Sequence, residues 1–284
     1  MNDLQKYFSK CLLATATLLV GASTAFAANT PSLGGVSDFA VLSAAPGGLG
    51  AVTCTRSAID GDVGSSGPPA SVVQTSCTIT GAIIAPVSAG VIADFNGAYD
   101  ALAGQSCDRF LTGTLAGITL TPGVYCFAAA ATLTGTLTLD GSGTYLFKIG
   151  TIGTGALTAT DFSVVLLNGA SACNVTWWVA QAATMTRADF NGTILSGAAI
   201  TIAGGAPATP FEGRALAKSA VTLTDVAFLG CEGGSLGGTA RPKCNQGVGN
   251  GPEGCDPGNS NQGNIFRSND ERGGVPGKPG RRGG

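Results

Sequence analysis

"DFNGTIL" at residues 189–195 returns as "PFEGRAL" at residues 210–216, 21 positions later, with phenylalanine, glycine and leucine in register. Two further echoes precede it. "LTGTL" occurs at 111–115 and again at 133–137, an offset of 22, and Tyr125-Cys-Phe127 is followed 20 residues on by Tyr145-Leu-Phe147. A self-similar period near 20 residues is the mark of a repeat architecture in which one unit cannot bury its own inward side chains, so that units stack and share a core. Short runs along the same region read as strands: "TYLFKI" (144–149), "FSVVLL" (162–167), "NVTWWVA" (174–180) and "AVTLTDVAF" (220–228) are rich in β-branched and aromatic residues and bounded by turn formers. The period predicts a mainly β chain coiled as a β-solenoid rather than a β-sandwich.

One segment departs from this pattern. In "SAGVIADFNGAYDALAGQSC" the residues Val91, Phe95, Ala98, Tyr99 and Leu102 fall on one stripe at helical spacing, with Ser88 as N-cap and Gly104 as the stop. That predicts a helix over about 88–103, held by packing because Gly90 and Gly97 weaken it by about 1 kcal/mol each. The ends differ again. Residues 1–27 read as a signal peptide, with Lys6 and Lys10, an apolar stretch, and Ala25-Phe26-Ala27 as the cleavage pattern. Residues 233–284 are glycine, proline, asparagine and charge, a composition that predicts a disordered tail. The folded domain is therefore expected over 28–232, exported and without a membrane span.

Composition narrows the chemistry. The 284 residues include no histidine, which removes the commonest general base and metal ligand. A formal charge of −2 gives no reason to expect nucleic acid or a membrane surface as partner. Of nine cysteines, Cys11 lies in the leader, and the even remainder in an exported chain favours disulfides. Pairing of sequence neighbours suggests Cys54–Cys77, Cys107–Cys126 and Cys244–Cys255, with Cys173–Cys231 left over, among the many pairings that eight cysteines allow.

Several stretches, taken in order, resemble the ice-binding-like family of secreted bacterial, fungal and algal proteins. They are "FAVLSA" (39–44), "IDGDVGSS" (59–66), "LTPGVYCF" (120–127), "VVLLNGASACNVTWWV" (164–179), "FNGTILSGAAITI" and "GRALAKSAVTL". The likeness covers roughly residues 34–230. It implies a right-handed, discontinuous, three-sided β-solenoid with one long α-helix alongside. It also implies an N-terminal coil packed beside C-terminal ones, and an insertion, containing Cys54 to Cys77, capping one end.

The resemblance also implies binding to ice, and the residues suit it. In "TLTGTLTLDGSGTYLF" (132–147) threonine occupies alternate positions and Asp140 is the only acidic group. Stacked coils would turn repeated threonines into a ladder. Their β-branch leaves little side-chain entropy to lose, the methyl favours a cage-like water layer, and the hydroxyl anchors it. Family members that bind ice use a face built partly from the stretch before each F-x-G-x-x-L-like strand. Here those stretches are "LTATDF", "ATMTRADF" and "APATPF", which make Thr158, Thr160, Thr184, Thr186, Ala208 and Thr209 the candidates, with Thr134 and Thr136 on a neighbouring coil. Arg187, Pro207 and Pro210 depart from the cleaner pattern of active members, and an outward Arg187 would interrupt the face.

Other readings carry less. A polysaccharide-cleaving enzyme would need gathered carboxylates; Asp60 and Asp62 are the nearest pair, and their glycine-flanked setting suits turn hydrogen bonds. That pair alone is too few ligands for calcium. Of Trp177 and Trp178, one must face outward on a strand, where it could stack on a sugar or lie under a helix. The expectation is a monomeric, non-enzymatic protein without metal or cofactor whose partner is an ice surface. The alternative is an adhesion or surface-structural solenoid of the same fold.

Overall fold

The computed structural model describes residues 31–231. The expected leader and tail, and the expected Cys244–Cys255 pair, lie outside them. Every strand pairing in this region is parallel, in one eight-stranded and one twelve-stranded sheet. The twelve-stranded sheet bends through a corner, so each coil contributes to three walls. The strand Phe190–Ser196 shows how. Asp189, immediately before it, bridges to Ser163, whereas Thr193–Ser196 pair with the strand Val175–Val179.

The repeated F-x-G-x-x-L now has a physical meaning. Phe190 lies opposite Phe211, Gly192 opposite Gly213 and Leu195 opposite Leu216. The phenylalanines stack in the core with ring centroids 5.5 Å apart, and the leucines face the helix. The glycines turn the corner at φ 124° and 149°, and a Cβ on Gly213 would lie 1.9 Å from the Gly192 carbonyl oxygen, so no side chain fits.

The other two echoes are out of step with the ladder. Leu137 pairs with Ile118, an offset of 19 rather than 22, while Tyr125 pairs with Phe147 and Gly123 with Tyr145, an offset of 22 rather than 20. The tyrosines match for a local reason. Tyr125 and Tyr145 each donate their hydroxyl to the carbonyl four residues earlier, Thr121 and Gly141. The stacked pair is Tyr125 on Phe147, which continues onto Trp177 at 4.0 Å.

The solenoid is discontinuous. Strand Phe39–Ser43 lies between Thr209–Ala217 and Asp62–Ser65, so the N-terminal segment stacks directly on the C-terminal coils. Two coils follow it, and the second, with strands Val72–Thr75, Thr78–Ile79 and Ile83–Ile84, ends the stack.

The helix spans Ala89–Ala103, with the Ser88 hydroxyl accepting from the Val91 amide at 3.3 Å and Gly104 at its C-terminus. Phe95, Ala98, Tyr99 and Leu102 are buried against an outward column of Leu42, Leu216, Leu195 and Trp178. Disulfides join Cys54–Cys77, Cys107–Cys126 and Cys173–Cys231.

Candidate functional site

The eight-stranded sheet carries one short pattern repeatedly: "AATLT" at 130–134, "ALTAT" at 156–160, "AATMT" at 182–186, "AITIA" at 199–203, "AVTLT" at 220–224 and "AVTCT" at 51–55. In each, the even positions are aliphatic, alanine, methionine or cysteine. They point inward and are buried: Val52, Val221, Ile200, Ala183, Leu157 and Ala131 form one layer, and Cys54, Leu223, Ile202, Met185, Ala159 and Leu133 the next. Because side chains alternate across a strand, this packing forces the threonines outward.

They form two columns. The first runs Thr132, Thr158, Thr184, Thr201, Thr222 and Thr53, each opposite the next, and ends at Val73. The second runs Thr160, Thr186, Ala203, Thr224, Thr55 and Thr75. Neighbours along a column are about 4.8 Å apart and the columns about 6.7 Å apart, set by strand spacing and rise. Thr132, Thr158, Thr184 and Thr201 are exposed, and Thr53, Thr222 and Thr224 half-buried. A third row flanks them. The carbonyls of Ala156, Ala182, Ala199, Ala220 and Ala51 each accept from the amide after the alanine of the adjoining coil, at 2.9–3.0 Å. The patch carries methyls and hydroxyls and no charge.

Charge begins at the corner that follows. Arg56, Asp225, Arg187 and Asp161 all adopt left-handed backbone, φ 45° to 56°, immediately after the second column. Arg187 donates from Nε and Nη2 to the two carboxylate oxygens of Asp161 at 2.7 and 2.8 Å, and Arg56 binds Asp225 in the same way at 2.8 and 2.7 Å. These hydrogen bonds, reinforced by the arginine charge, hold both carboxyls below their usual range, against a smaller opposing effect of desolvation. Arg187 therefore stands at the rim, paired, and interrupts neither column.

Of the residues singled out from sequence, Thr158, Thr160, Thr184 and Thr186 lie in the columns. Thr134 follows Leu133 at their end, where the pairing shifts before Gly135. Thr136 falls beyond that bulge on the adjoining wall, its hydroxyl 3.0 Å from that of Ser163. Ala208 and Thr209 do not belong to the patch. Residues 204–208 form an excursion after the corner, so that Thr209 begins a strand of the twelve-stranded sheet opposite Val226, its hydroxyl accepting from the Gly205 amide at 3.0 Å. Pro207 lies in the same excursion, and Pro210 pairs with Ala227 off the threonine wall. Thr132, Thr201, Thr222, Thr224, Thr53 and Thr55 were missed. An A-x-T-x-[TA] pattern would have found them, but its copies are spaced irregularly, from 17 residues (Ala182 to Ala199) to 79 (Ala51 to Ala130).

The remaining candidates are occupied structurally. Asp60 accepts from the Thr80 hydroxyl and Asp62 from the Ala82 amide, both at 2.7 Å. Trp178 is buried beneath the helix and donates to the Tyr99 carbonyl at 3.0 Å. Among the described residues no three metal-ligating side chains cluster.

Residues 33–228 match the family model described as ice-binding-like. An ice-binding protein of Flavobacterium frigoris is 32% identical over 213 residues, covering 68% of this chain and 73% of that protein. One from Nostoc is 36% identical over 208 residues, covering 70% and 73%. The crystal structure of an ice-binding protein from the Antarctic ascomycete Antarctomyces psychrotrophicus superposes with a TM-score of 0.61 at 31% identity, over 71% of this chain and 98% of that one. With the coils, helix and threonine wall in place, these matches establish that the chain belongs to the ice-binding-like family.

Proposed function

We propose that the threonine wall adsorbs to ice and thereby inhibits ice growth and recrystallisation. The observation that carries this reading is the register of the two columns over consecutive coils on an uncharged face. Each threonine is stiff at χ1 and fixed on a strand whose inward neighbours are buried, so docking orders little that is not already ordered. Methyls favour a cage-like water layer and hydroxyls bind it, while the paired charges stay at the rim. No bond is made or broken. Adsorbed molecules force the ice front to bulge between them, and curvature lowers the local freezing point until growth stops.

The protein works outside the cell in this reading: the disulfides fit an oxidising compartment, with residues 1–27 as leader, 28–232 as the ice-binding domain and 233–284 as a tail. Ice crystals grown in purified protein test the proposal. Wild type should facet crystals and suppress recrystallisation, and Thr184→Lys should weaken this about tenfold, the effect of about 1.4 kcal/mol of lost adsorption energy. Val165→Lys, on the adjoining wall at an exposed position, should leave it unchanged. Equal activity of wild type and Thr184→Lys would remove the wall from the function.

A further inference from the structure

The threonine wall is assembled from two separate pieces of chain. From Thr132 to Thr224 the chain winds directly from one strand to the next, but Thr53 and Thr55 precede the helix and meet Thr222 and Thr224 across a seam with no covalent continuity. The repeated T-x-T pattern makes that seam ambiguous. A slip of two residues in a parallel pair keeps the same side chains inward and outward, and threonine would still face threonine. Something other than the pattern has to choose.

Both corners of the seam carry such a device. At one, the buried Ser43 hydroxyl accepts from the Ala51 amide at 2.9 Å and donates to the Ser219 carbonyl at 2.6 Å. At the other, Arg56 and Asp225 follow Thr55 and Thr224 directly, both in left-handed conformation, and lock by two hydrogen bonds, from Nε and Nη2 to the two carboxylate oxygens. The Asp225 amide also donates to the Thr55 carbonyl at 3.1 Å. The fork of a guanidinium meets a carboxylate in this way only when the two corners stand level. Resting on the ice-contact reading above, we infer that Arg56 and Asp225 are positioning residues. They hold the N-terminal threonines, Thr53 and Thr55, in lattice register with Thr222 and Thr224, so that ice meets one continuous array and not two.

Arg56 is exposed and Asp225 half-buried, with side-chain exposures of 59% and 28%, and an ion pair so open to water contributes little to folding, so its removal affects alignment far more. Buried Ser43 and Ser57 keep the coils together: the Ser57 hydroxyl accepts from the Val226 amide at 3.0 Å. The Arg187–Asp161 pair joins two coils already linked by chain and provides a matched comparison.

Thermal hysteresis, with melting temperature recorded for each protein, tests this in the full chain. Arg56→Ala should lower hysteresis about threefold with the melting temperature unchanged, and the exchange Arg56→Asp with Asp225→Arg should restore it. Thr53→Ala with Thr55→Ala should lower it to a similar extent, and adding Arg56→Ala to that background should have no further effect, since the residues to be positioned are gone. Methyl relaxation of Thr53 and Thr55 should show new motion in Arg56→Ala, with Thr184 unaffected. A wild-type level of hysteresis in Arg56→Ala, or a further loss in the threonine-depleted background, overturns the inference. Full activity in Thr184→Lys would instead overturn the ice-contact reading itself, whatever Arg56 does.

Discussion

Thr186, Ala203 and Thr224 stand in line on three successive coils, and the middle one lacks the hydroxyl. If each threonine contributes a methyl and a hydroxyl to one lattice, filling that gap should help. Ala203→Thr places a β-branched residue on a strand that favours it, and we expect hysteresis to rise by about twofold; an unchanged hysteresis would mean that the second column does not touch ice. The rim gives a pH prediction. Asp161 and Asp225 have folded pKa values below their unfolded ones, so their contribution is complete above the ordinary carboxylate value and is lost as pH falls through the depressed one. Hysteresis should therefore stay level from pH 7 down to about pH 4. A drop between pH 7 and 5 would point to other groups. Four candidate threonines were legible from sequence because they lie next to F-x-G-x-x-L-like strands. Thr201, Thr222 and Thr53 were not, because coil length varies and an even count of residues between copies is not preserved. Ala208 lies inside, and Thr209 just past, an excursion that sequence alone does not separate from a strand, so that stretch does not continue the columns.

The helix is the element that the sequence specified best. Its stripe, N-cap and stop depend on neighbouring residues only, and Phe95, Ala98, Tyr99 and Leu102 are buried as the spacing required. How it is fastened was less visible. Lys148, on a wall strand, is buried beneath it and donates from Nζ to the carbonyls of Ala103 and Gln105, satisfying acceptors at the helix C-terminus. Burial pushes its pKa down. A lone lysine in "TYLFKI" gives no hint of this, since its partners lie more than 40 residues away. Lys148→Met should leave those carbonyls unpaired and cost about 1–3 kcal/mol of stability, read as a lower melting temperature. Ice activity per folded molecule should be retained, because the helix and the threonine columns lie on different walls. Loss of activity at full stability would contradict that separation.

At the scale of the molecule, one set of inward residues serves two outward purposes. The aromatic and aliphatic core fixes the coils, and on one wall it presents leucine and tryptophan to a helix, on another threonine to solvent. The discontinuous stack adds a cost in sequence legibility, since residues 52–55 and 221–224 become neighbours with nothing in their spacing to say so. Family resemblance supplied that connection where periodicity could not. The central claim is that this regular, uncharged wall is the surface that meets ice. Its most direct test is to grow a single ice crystal in fluorescently labelled protein and to image the crystal surface. Wild type should enter the ice on discrete crystal planes and Thr184→Lys about tenfold less; exclusion of the wild type, or equal incorporation of both, would contradict the account.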